Sequence, residues 1–548
     1  MSLGGTPTHI HATPEIAAEP GEVQPLSDLS STQGSVVSPE RQSWLLLLLV
    51  VAAGTLLRLY MLGVKSLLSD EAFSVYAARL PWPGFLRTMW WGEANMALYY
   101  FLLRGWIHLG DSEFWLRCLS VLCGVAAIPA VYVLGNRFLS RKAGVAAAAL
   151  LAVHSFHIQY SQELRTYSLL TFLVIISSYL FLEVLDTPDR KSLWLVYVVC
   201  SALSIYAHVF AVFVLLSQWL VLTPDRIKRL GAVRLLVAGA AMGILTTPIA
   251  AVVLLEHKGQ LNWVPPLSPA SVWEIFQDLV GAGAAASQSL ARSIVLLSLY
   301  VATWVLAVAY FLRARRSRIA GPMTRVTLSL LVSWLAFPIA AMMGISALKP
   351  ILAPRYLLMC VPAAVLLAGW GLVALEERVP RGRLVFSAAV LVMFVLAFSG
   401  TRDYYASFET YGYKWREVTK YVLLHQEPDD TVIFYTFSGH YVFDYYAARE
   451  KVAGAASTAP VVLFPLALER ASIEKHTQPY RRVWLVLHQT RRSPVTDVQT
   501  ELIRTTLETH FHLAGERKFP GHGIDHGESG EILVALFVAA TPGQNGTR

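Results

Sequence analysis

Charged residues are scarce in this chain. Lysine, arginine, aspartate and glutamate together make up 15% of its 548 residues, whereas a soluble domain carries about 25%. Hydrophobic residues make up 55%, and the mean hydropathy is +0.49. The composition therefore excludes an ordinary soluble globular protein and predicts an integral membrane protein.

Cysteine is also scarce, and its four positions all lie inside apolar runs: Cys118, Cys123, Cys200 and Cys360. Their spacing matches neither a disulfide framework nor a metal site, so we expect them to pack as small apolar side chains. The net charge of +8 comes from short basic clusters between apolar stretches. That placement orients a chain in a bilayer, and we expect no nucleic-acid partner.

Aromatic residues are missing from residues 1–43, which are rich in proline, serine and threonine. Such a segment cannot bury enough apolar surface to fold, so it is predicted to be a disordered cytosolic arm. The first apolar run has no small-residue cleavage site after it and is predicted to be a retained helix rather than a signal peptide.

Long apolar runs follow, and a spanning helix needs about 20 such residues. The pattern predicts a polytopic α-helical membrane protein with about 11 transmembrane helices, at 44–63, 118–136, 143–158, 167–185, 192–207, 209–222, 235–255, 292–312, 326–345, 356–374 and 384–400. Residues 192–222 could form one long helix, but basic residues on both flanks favour a hairpin that turns near His208. Residues 96–110 are apolar but short and contain Arg104, so they are predicted to lie at the membrane interface in the first outer loop.

With these assignments, the basic loops alternate with loops poor in lysine and arginine, which places the basic side in the cytosol. The transmembrane domain then covers residues 44–400, and residues 401–548 emerge on the outer face. Their helix-like and strand-like segments predict a C-terminal soluble α/β domain. The sequence contains neither an internal repeat nor a nucleotide-binding loop.

The first outer loop contains an adjacent acidic pair, Asp70 and Glu71, directly after the first span. One interpretation is a helix start in which these residues cap the first turn. The other is a general base positioned near a hydroxyl acceptor. Glu93 in the same loop and Trp263 in a later outer loop are further substrate-binding candidates, since both loops are long enough to fold over a site.

The second outer loop is short and places Glu163, Arg165 and Tyr167 between two spans. A local ion pair is one interpretation, but charge near the bilayer is costly and usually faces a cavity. Glu163 is therefore a catalytic candidate, and Arg165 and Tyr167 are substrate-binding candidates. His208, at the tip of the hairpin, is either a satisfied interfacial histidine or a further binding residue.

A third element places Lys349, Arg355 and Tyr356 at the outer entrance of the tenth span. Arginine suits bidentate recognition of phosphate, although arginine and tyrosine also anchor helices at the interface. The three elements lie on the same predicted side of the membrane.

Together these elements resemble the type C glycosyltransferases that use polyprenyl-phosphate sugars, particularly the protein O-mannosyltransferases and aminoarabinose transferases. The resemblance covers about residues 44–400 and depends on four motifs: SDE at 69–71, YSQELRTY at 160–167, IYAH at 205–208 and APRYLL at 353–358. It implies interfacial helices in the first outer loop and a catalytic base at Asp70, with Glu71 as its neighbour. The related oligosaccharyltransferases have two acids in the second loop where this chain has the single acid Glu163, so a two-acid metal site is not carried over.

The sequence therefore predicts transfer of a sugar from a polyprenyl-phosphate carrier to an acceptor hydroxyl on the outer face, with inversion and a carboxylate base. The acceptor could be a protein, a lipid or a glycan, and a bacterial inner membrane is the expected location. No cofactor is required, although a divalent metal remains compatible with the chemistry. Alternatives are a transporter or lipid flippase, whose polar sites usually lie near the midplane, and a non-catalytic scaffold.

Overall fold

The structure is a computed structural model that describes residues 39–255, 264–282, 289–317, 321–406, 413–435, 439–450, 461–463, 470–489, 494–522 and 529–539. Most of the predicted N-terminal arm, and Trp263, lie outside these residues. The described part is mostly helical as far as residue 406, and all five described strands come after it.

The helices of the first part, in chain order, are α1 (Pro39–Leu59), α2 (Ser69–Arg79), α3 (Trp82–Thr88), α4 (Ala97–Trp106), α5 (Glu113–Phe138), α6 (Arg141–Ala152), α7 (Ser155–Ser161), α8 (Tyr167–Asp186), α9 (Lys191–Ala207), α10 (Ala211–Leu220), α11 (Pro224–Leu230), α12 (Ala232–Leu255), α13 (Pro269–Leu279), α14 (Leu290–Ser317), α15 (Pro322–Ser346), α16 (Val361–Glu376) and α17 (Gly382–Ala406). A π-helical turn (Met89–Glu93) and a 3₁₀ turn (Ala94–Met96) precede α4, and a second 3₁₀ turn (Pro354–Cys360) precedes α16.

Seven helices of the described residues are long and apolar enough to cross a membrane. An eighth span results if α6 and α7, which meet at a bend of 61°, are counted as one broken helix. Three further apolar helices are shorter: Ser43–Leu59, Lys191–Ala207 and Ala211–Leu220. The chain is thus a multi-pass helical membrane protein, and the count of eleven spans stays a prediction.

Helix α4 occupies the segment predicted to lie at the interface. It has 10 residues and is therefore about 15 Å long, half the thickness of the hydrocarbon core. The Arg104 guanidinium donates to the carbonyl oxygens of Ala78 and Leu80 at 2.9 and 2.6 Å. It also lies over the Trp82 ring, 4.2 Å from the ring centroid. These contacts provide partners for Arg104, the one basic residue of a helix that is too short to cross the membrane.

Helix α16 forms the centre of the helical part, since the whole apolar window of Pro354–Glu376 is buried. Its glycines allow neighbouring backbones to approach closely. A Cβ atom at Gly371 would lie 2.0 Å from the Thr303 carbonyl oxygen of α14, and one at Gly369 would lie 2.6 Å from the Ala143 carbonyl oxygen of α6. Small residues at such crossings are how membrane helices pack tightly.

The second part contains α18 (Trp415–His425), β1 (Thr431–Tyr435), α19 (Gly439–Ala447), β2 (Val461–Leu463), α20 (Arg470–Thr477), β3 (Arg482–Gln489), α21 (Pro494–Glu508), β4 (Phe511–His522) and β5 (Ser529–Ala539). The strands form one sheet in the order β2-β1-β3-β5-β4. Strand β1 is parallel to β2 and β3, while β5 is antiparallel to β3 and β4.

This sheet-containing part packs against the segment that leads into α2. The Tyr446 hydroxyl accepts the Leu67 backbone N–H at 2.8 Å, and Arg416 pairs with Glu113 at 2.6 Å. The Tyr441 ring meets the Phe73 ring edge-on, with the centroids 5.1 Å apart. Helix α2, which carries the acidic pair, is therefore held between the helical part and α19.

Candidate active site

The two adjacent carboxylates at the start of α2 have opposite environments, and Glu71 is fully buried. Its carboxylate receives Nε and Nη2 of Arg117 at 2.9 and 2.7 Å, and both side chains have 0% exposure. The Leu68 and Leu164 backbone N–H groups donate to the same carboxylate, each at 2.8 Å. Four donors occupy the two Glu71 oxygens, so this carboxylate is not available to an acceptor.

Arg117 extends this network to the chain before α2. Its guanidinium also donates to the carbonyl oxygens of Leu62, Lys65 and Ser66 at 2.8, 3.1 and 3.1 Å. The Glu71–Arg117 pair therefore joins the α1–α2 connection, the start of α5 and the second outer loop. We conclude that the pair fixes the backbone on which Asp70 is placed.

Asp70 points the other way, and 57% of its side chain is exposed. Arg165 of the second outer loop lies beside it, with Nη2 at 3.8 Å from Asp70 Oδ2 and Nη1 at 3.5 Å from the Asp70 carbonyl oxygen. The Arg165 side chain is only 12% exposed. An accessible carboxylate and a nearly buried guanidinium thus lie side by side.

Glu93, from the π-helical turn, belongs to the same group of charges. Its Oε2 accepts the Tyr100 hydroxyl at 2.9 Å. Burial raises the pKa of the Glu93 carboxyl, the Arg165 cation opposes that rise, and the Asp70 charge adds to it. The structure therefore brings Asp70, Glu93 and Arg165 together.

Glu163 lies in a second, more deeply buried group of charges. Its side chain is 3% exposed, and its Oε1 has no hydrogen-bond partner among the described residues. Burial raises the pKa of Glu163 to about 7, although the cations of Lys65 and Arg355 act in the opposite direction. A carboxyl group with this pKa changes its protonation near neutral pH.

Three aromatic rings, those of Tyr167, His208 and Tyr356, lie close to one another in this part of the site. The His208 ring centroid is 5.0 Å from that of Tyr356 and 6.1 Å from that of Tyr167. Burial, together with the charges of Arg165 and Arg355, lowers the pKa of His208 to about 3. His208 is therefore a neutral ring, and its Nδ1 accepts the Phe210 backbone N–H at 3.2 Å.

Not every predicted residue joins these groups. Lys349 is exposed, and no hydrogen bond or ion pair connects its ammonium to the groups above within the described chain. Trp263 lies outside the described residues. The structure thus brings together nine of the eleven candidates: Asp70, Glu71, Glu93, Glu163, Arg165, Tyr167, His208, Arg355 and Tyr356.

Three residues of the site were not predicted from the sequence: Lys65, Tyr100 and Arg117. Arg117 immediately precedes the predicted span 118–136, and an ionisable residue at a span boundary is itself a signal of a functional or paired position. Lys65 precedes the acidic pair by five residues, and no feature of the sequence around it indicated a role in the site. Tyr100 lies within the interfacial segment, where an aromatic ring is expected without any further role.

A metal ion would need several ligands close together. In the chain as described, no three His, Cys, Asp or Glu side chains are placed to hold one. The cation beside Asp70 is instead the Arg165 guanidinium.

The comparisons with known proteins concern the fold and part of the sequence. Residues 97–253 match the family model described as dolichyl-phosphate-mannose-protein mannosyltransferase. No curated protein matches the chain in sequence.

Solved structures extend the similarity to nearly the whole chain. The apo structure of ArnT from Cupriavidus metallidurans aligns with a TM-score of 0.54 at 13% identity, over 90% of this chain and 98% of ArnT. The undecaprenyl-phosphate-bound form of ArnT aligns with a TM-score of 0.52 over the same shares at 13% identity. The oligosaccharyltransferase AglB from Archaeoglobus fulgidus, in complex with an inhibitory peptide and a dolichol-phosphate, gives 0.52 at 11% identity, over 86% of this chain and 73% of AglB.

These proteins are type C glycosyltransferases that use polyprenyl-phosphate sugars. The chain has their fold, and the resemblance inferred from its sequence motifs is confirmed. At these identities the structural likeness concerns the fold alone.

Proposed function

We propose that this protein transfers a sugar from a polyprenyl-phosphate carrier to an acceptor hydroxyl on the extracytoplasmic face of the membrane. The observation that carries the proposal is the pairing of the accessible Asp70 carboxylate with the nearly buried Arg165 guanidinium, 3.8 Å apart. The reaction needs both a base for the acceptor hydroxyl and a cation for the carrier phosphate within one site.

Arg165 and Arg355 would bind the donor phosphate. Guanidinium groups suit bidentate contact with phosphate oxygens, and both arginines lie close enough to His208 to lower its pKa. Their charges would stabilise the negative charge that develops on the leaving carrier phosphate. The rings of Tyr167 and Tyr356, whose centroids are 6.4 Å apart, would form the wall between them.

Asp70 would act as the general base. It takes the proton of the acceptor hydroxyl while the acceptor oxygen bonds to the anomeric carbon. The bond between that carbon and the phosphate oxygen breaks, and the polyprenyl phosphate leaves with the electron pair. Attack from the face opposite the phosphate inverts the anomeric centre. Glu93, coupled to Asp70 and Arg165, would bind the acceptor near the base.

The buried carboxylates have other roles in this proposal. Glu71 holds Asp70 in place through Arg117 and does not react, because donors occupy both of its oxygens. Glu163 would bind a hydroxyl of the donor sugar, since its Oε1 has no partner among the described residues. Lys65 and Arg355 supply the compensating charge.

The bound lipids of the similar structures support the choice of donor. ArnT has been solved with undecaprenyl phosphate and AglB with a dolichol-phosphate and a peptide. The predicted distribution of basic loops supports the outer face for the site and the cytosol for the N-terminus. We propose a protein, lipid or glycan as the acceptor.

The test is transfer by the purified protein in proteoliposomes that contain a polyprenyl-phosphate donor with a labelled sugar. Membrane extracts supply candidate acceptors, and the label should move from the carrier to an acceptor. Movement of the intact labelled lipid between leaflets, without cleavage from its carrier, would replace the proposal with a flippase.

A further inference from the structure

A groove separate from the proposed active site lies between the end of α10, α14 and the beginning of α15. Its volume is about 700 Å³, and most of its lining is apolar, with Val308, Phe311 and Phe337 among the side chains. Two arginines, Arg226 of α11 and Arg325 of α15, also line it. Its lining contains no acidic side chain within the described residues.

The two arginines line the same groove, and its described lining contains no acid to neutralise them. Burial lowers the pKa of Arg226, and the charge of Arg325 lowers it further. No ion pair within the described chain neutralises either guanidinium. Arg226 donates to the Val221 carbonyl oxygen at 2.5 Å. This hydrogen bond gives one N–H group a partner, but a carbonyl oxygen does not neutralise the positive charge of the guanidinium. Two like charges at the end of an apolar groove favour an anion at that end.

The length of the groove indicates the kind of anion. From Arg325 to Ala340, which also lines it, α15 rises about 22 Å. One leaflet with its headgroup region measures about 20 Å. The groove is open, since 61% of Leu220 and 52% of Leu312 are exposed. Its shape therefore suits one lipid molecule that enters from the bilayer with its phosphate at the arginines.

We propose that this groove binds an anionic phospholipid, with the headgroup phosphate between Arg226 and Arg325 and an acyl chain along α14 and α15. Basic pockets between membrane helices on the cytosolic side are suited to such headgroups. Both arginines belong to loops that the charge pattern places in the cytosol, on the side opposite the proposed active site. The inference does not depend on the proposed sugar transfer.

The experiment compares lipid binding to purified, delipidated protein by native mass spectrometry. Phosphatidylglycerol, phosphatidylcholine and a polyprenyl monophosphate are each titrated against the parent, Arg226→Gln, Arg325→Gln and the double variant. Arg229→Gln is the matched control, because Arg229 lies on the same helix but is exposed and does not line the groove. A double lysine variant keeps both charges.

We expect the parent to bind phosphatidylglycerol more tightly than phosphatidylcholine. Each glutamine substitution should weaken the preference about fivefold and the double variant about thirtyfold, whereas Arg229→Gln and the double lysine variant should retain it. An unchanged preference in the double glutamine variant, or an equal loss in Arg229→Gln, would overturn the proposal. Tighter binding of the polyprenyl phosphate at these arginines would overturn the assignment of a phospholipid. If the double glutamine variant does not fold, the single variants decide the result.

Discussion

The two adjacent carboxylates should respond differently to the same chemical change, and Glu71→Gln should mainly affect stability. The substitution leaves the Arg117 guanidinium buried without its counterion. Breaking a buried pair in this way typically costs about 3–5 kcal/mol. Arg117 keeps three carbonyl acceptors, so we expect the lower end, about 3 kcal/mol of unfolding free energy.

The assay is thermal unfolding of the purified protein in detergent, followed by intrinsic fluorescence. Asp70→Asn is the matched control, since its side chain is exposed and its substitution should change the unfolding free energy by less than about 0.5 kcal/mol. The double variant Glu71→Gln/Arg117→Met removes both charges. Its loss should be smaller than the sum of the two single losses, because no uncompensated charge remains.

A Glu71→Gln protein that unfolds at the parent temperature but has lost transfer would refute this reasoning. Glu71 would then act in the chemistry, despite the four donors on its carboxylate.

Three further predictions concern other residues of the site and its support. Arg165→Lys keeps the charge but loses the guanidinium fork, so donor binding in a filter assay should weaken; parental affinity would make Arg165 an interface anchor. Burial raises the pKa of Glu163 from 4.5 to about 7 in the folded protein, so the stability that is fully present below pH 4.5 is lost as the pH rises through 7. Glu163→Gln should therefore flatten the fall in thermal midpoint between pH 5 and pH 8, and an unchanged slope would contradict the assignment. Tyr446→Phe leaves the buried Leu67 N–H without its acceptor and should cost about 1–3 kcal/mol of unfolding free energy, measured against Tyr480→Phe, a half-buried tyrosine of the same sheet-containing part, as a control.

The positions of the apolar helices could be predicted because each is a local pattern. The span predicted at 167–185 is the helix Tyr167–Asp186, and the one predicted at 326–345 lies within Pro322–Ser346. The bend between α6 and α7 could not be predicted, since residues 143–158 are apolar on both sides of it.

The site was predictable to the extent that charge near a membrane is costly. That cost identified Glu163 and Arg165 as functional candidates, whereas Arg355 was a candidate because arginine suits phosphate recognition. It could not distinguish Asp70 from Glu71, because the partner of Glu71 is Arg117, 46 residues away in the chain. Which of two neighbouring carboxylates is buried depends on the tertiary fold, and here the distinction determines which of them is free to act as a base.

The most direct test of the proposed mechanism is single-turnover sugar transfer by Asp70→Asn from a prebound polyprenyl-phosphate donor. General-base catalysis contributes about 10²–10⁴ in rate, so transfer should fall by at least about a hundredfold while donor binding and folding are retained. Asp111→Asn is the control, an exposed carboxylate of the same loop that pairs with Arg79, and it should transfer near the parent rate. Parental turnover by Asp70→Asn with bound donor would contradict the mechanism.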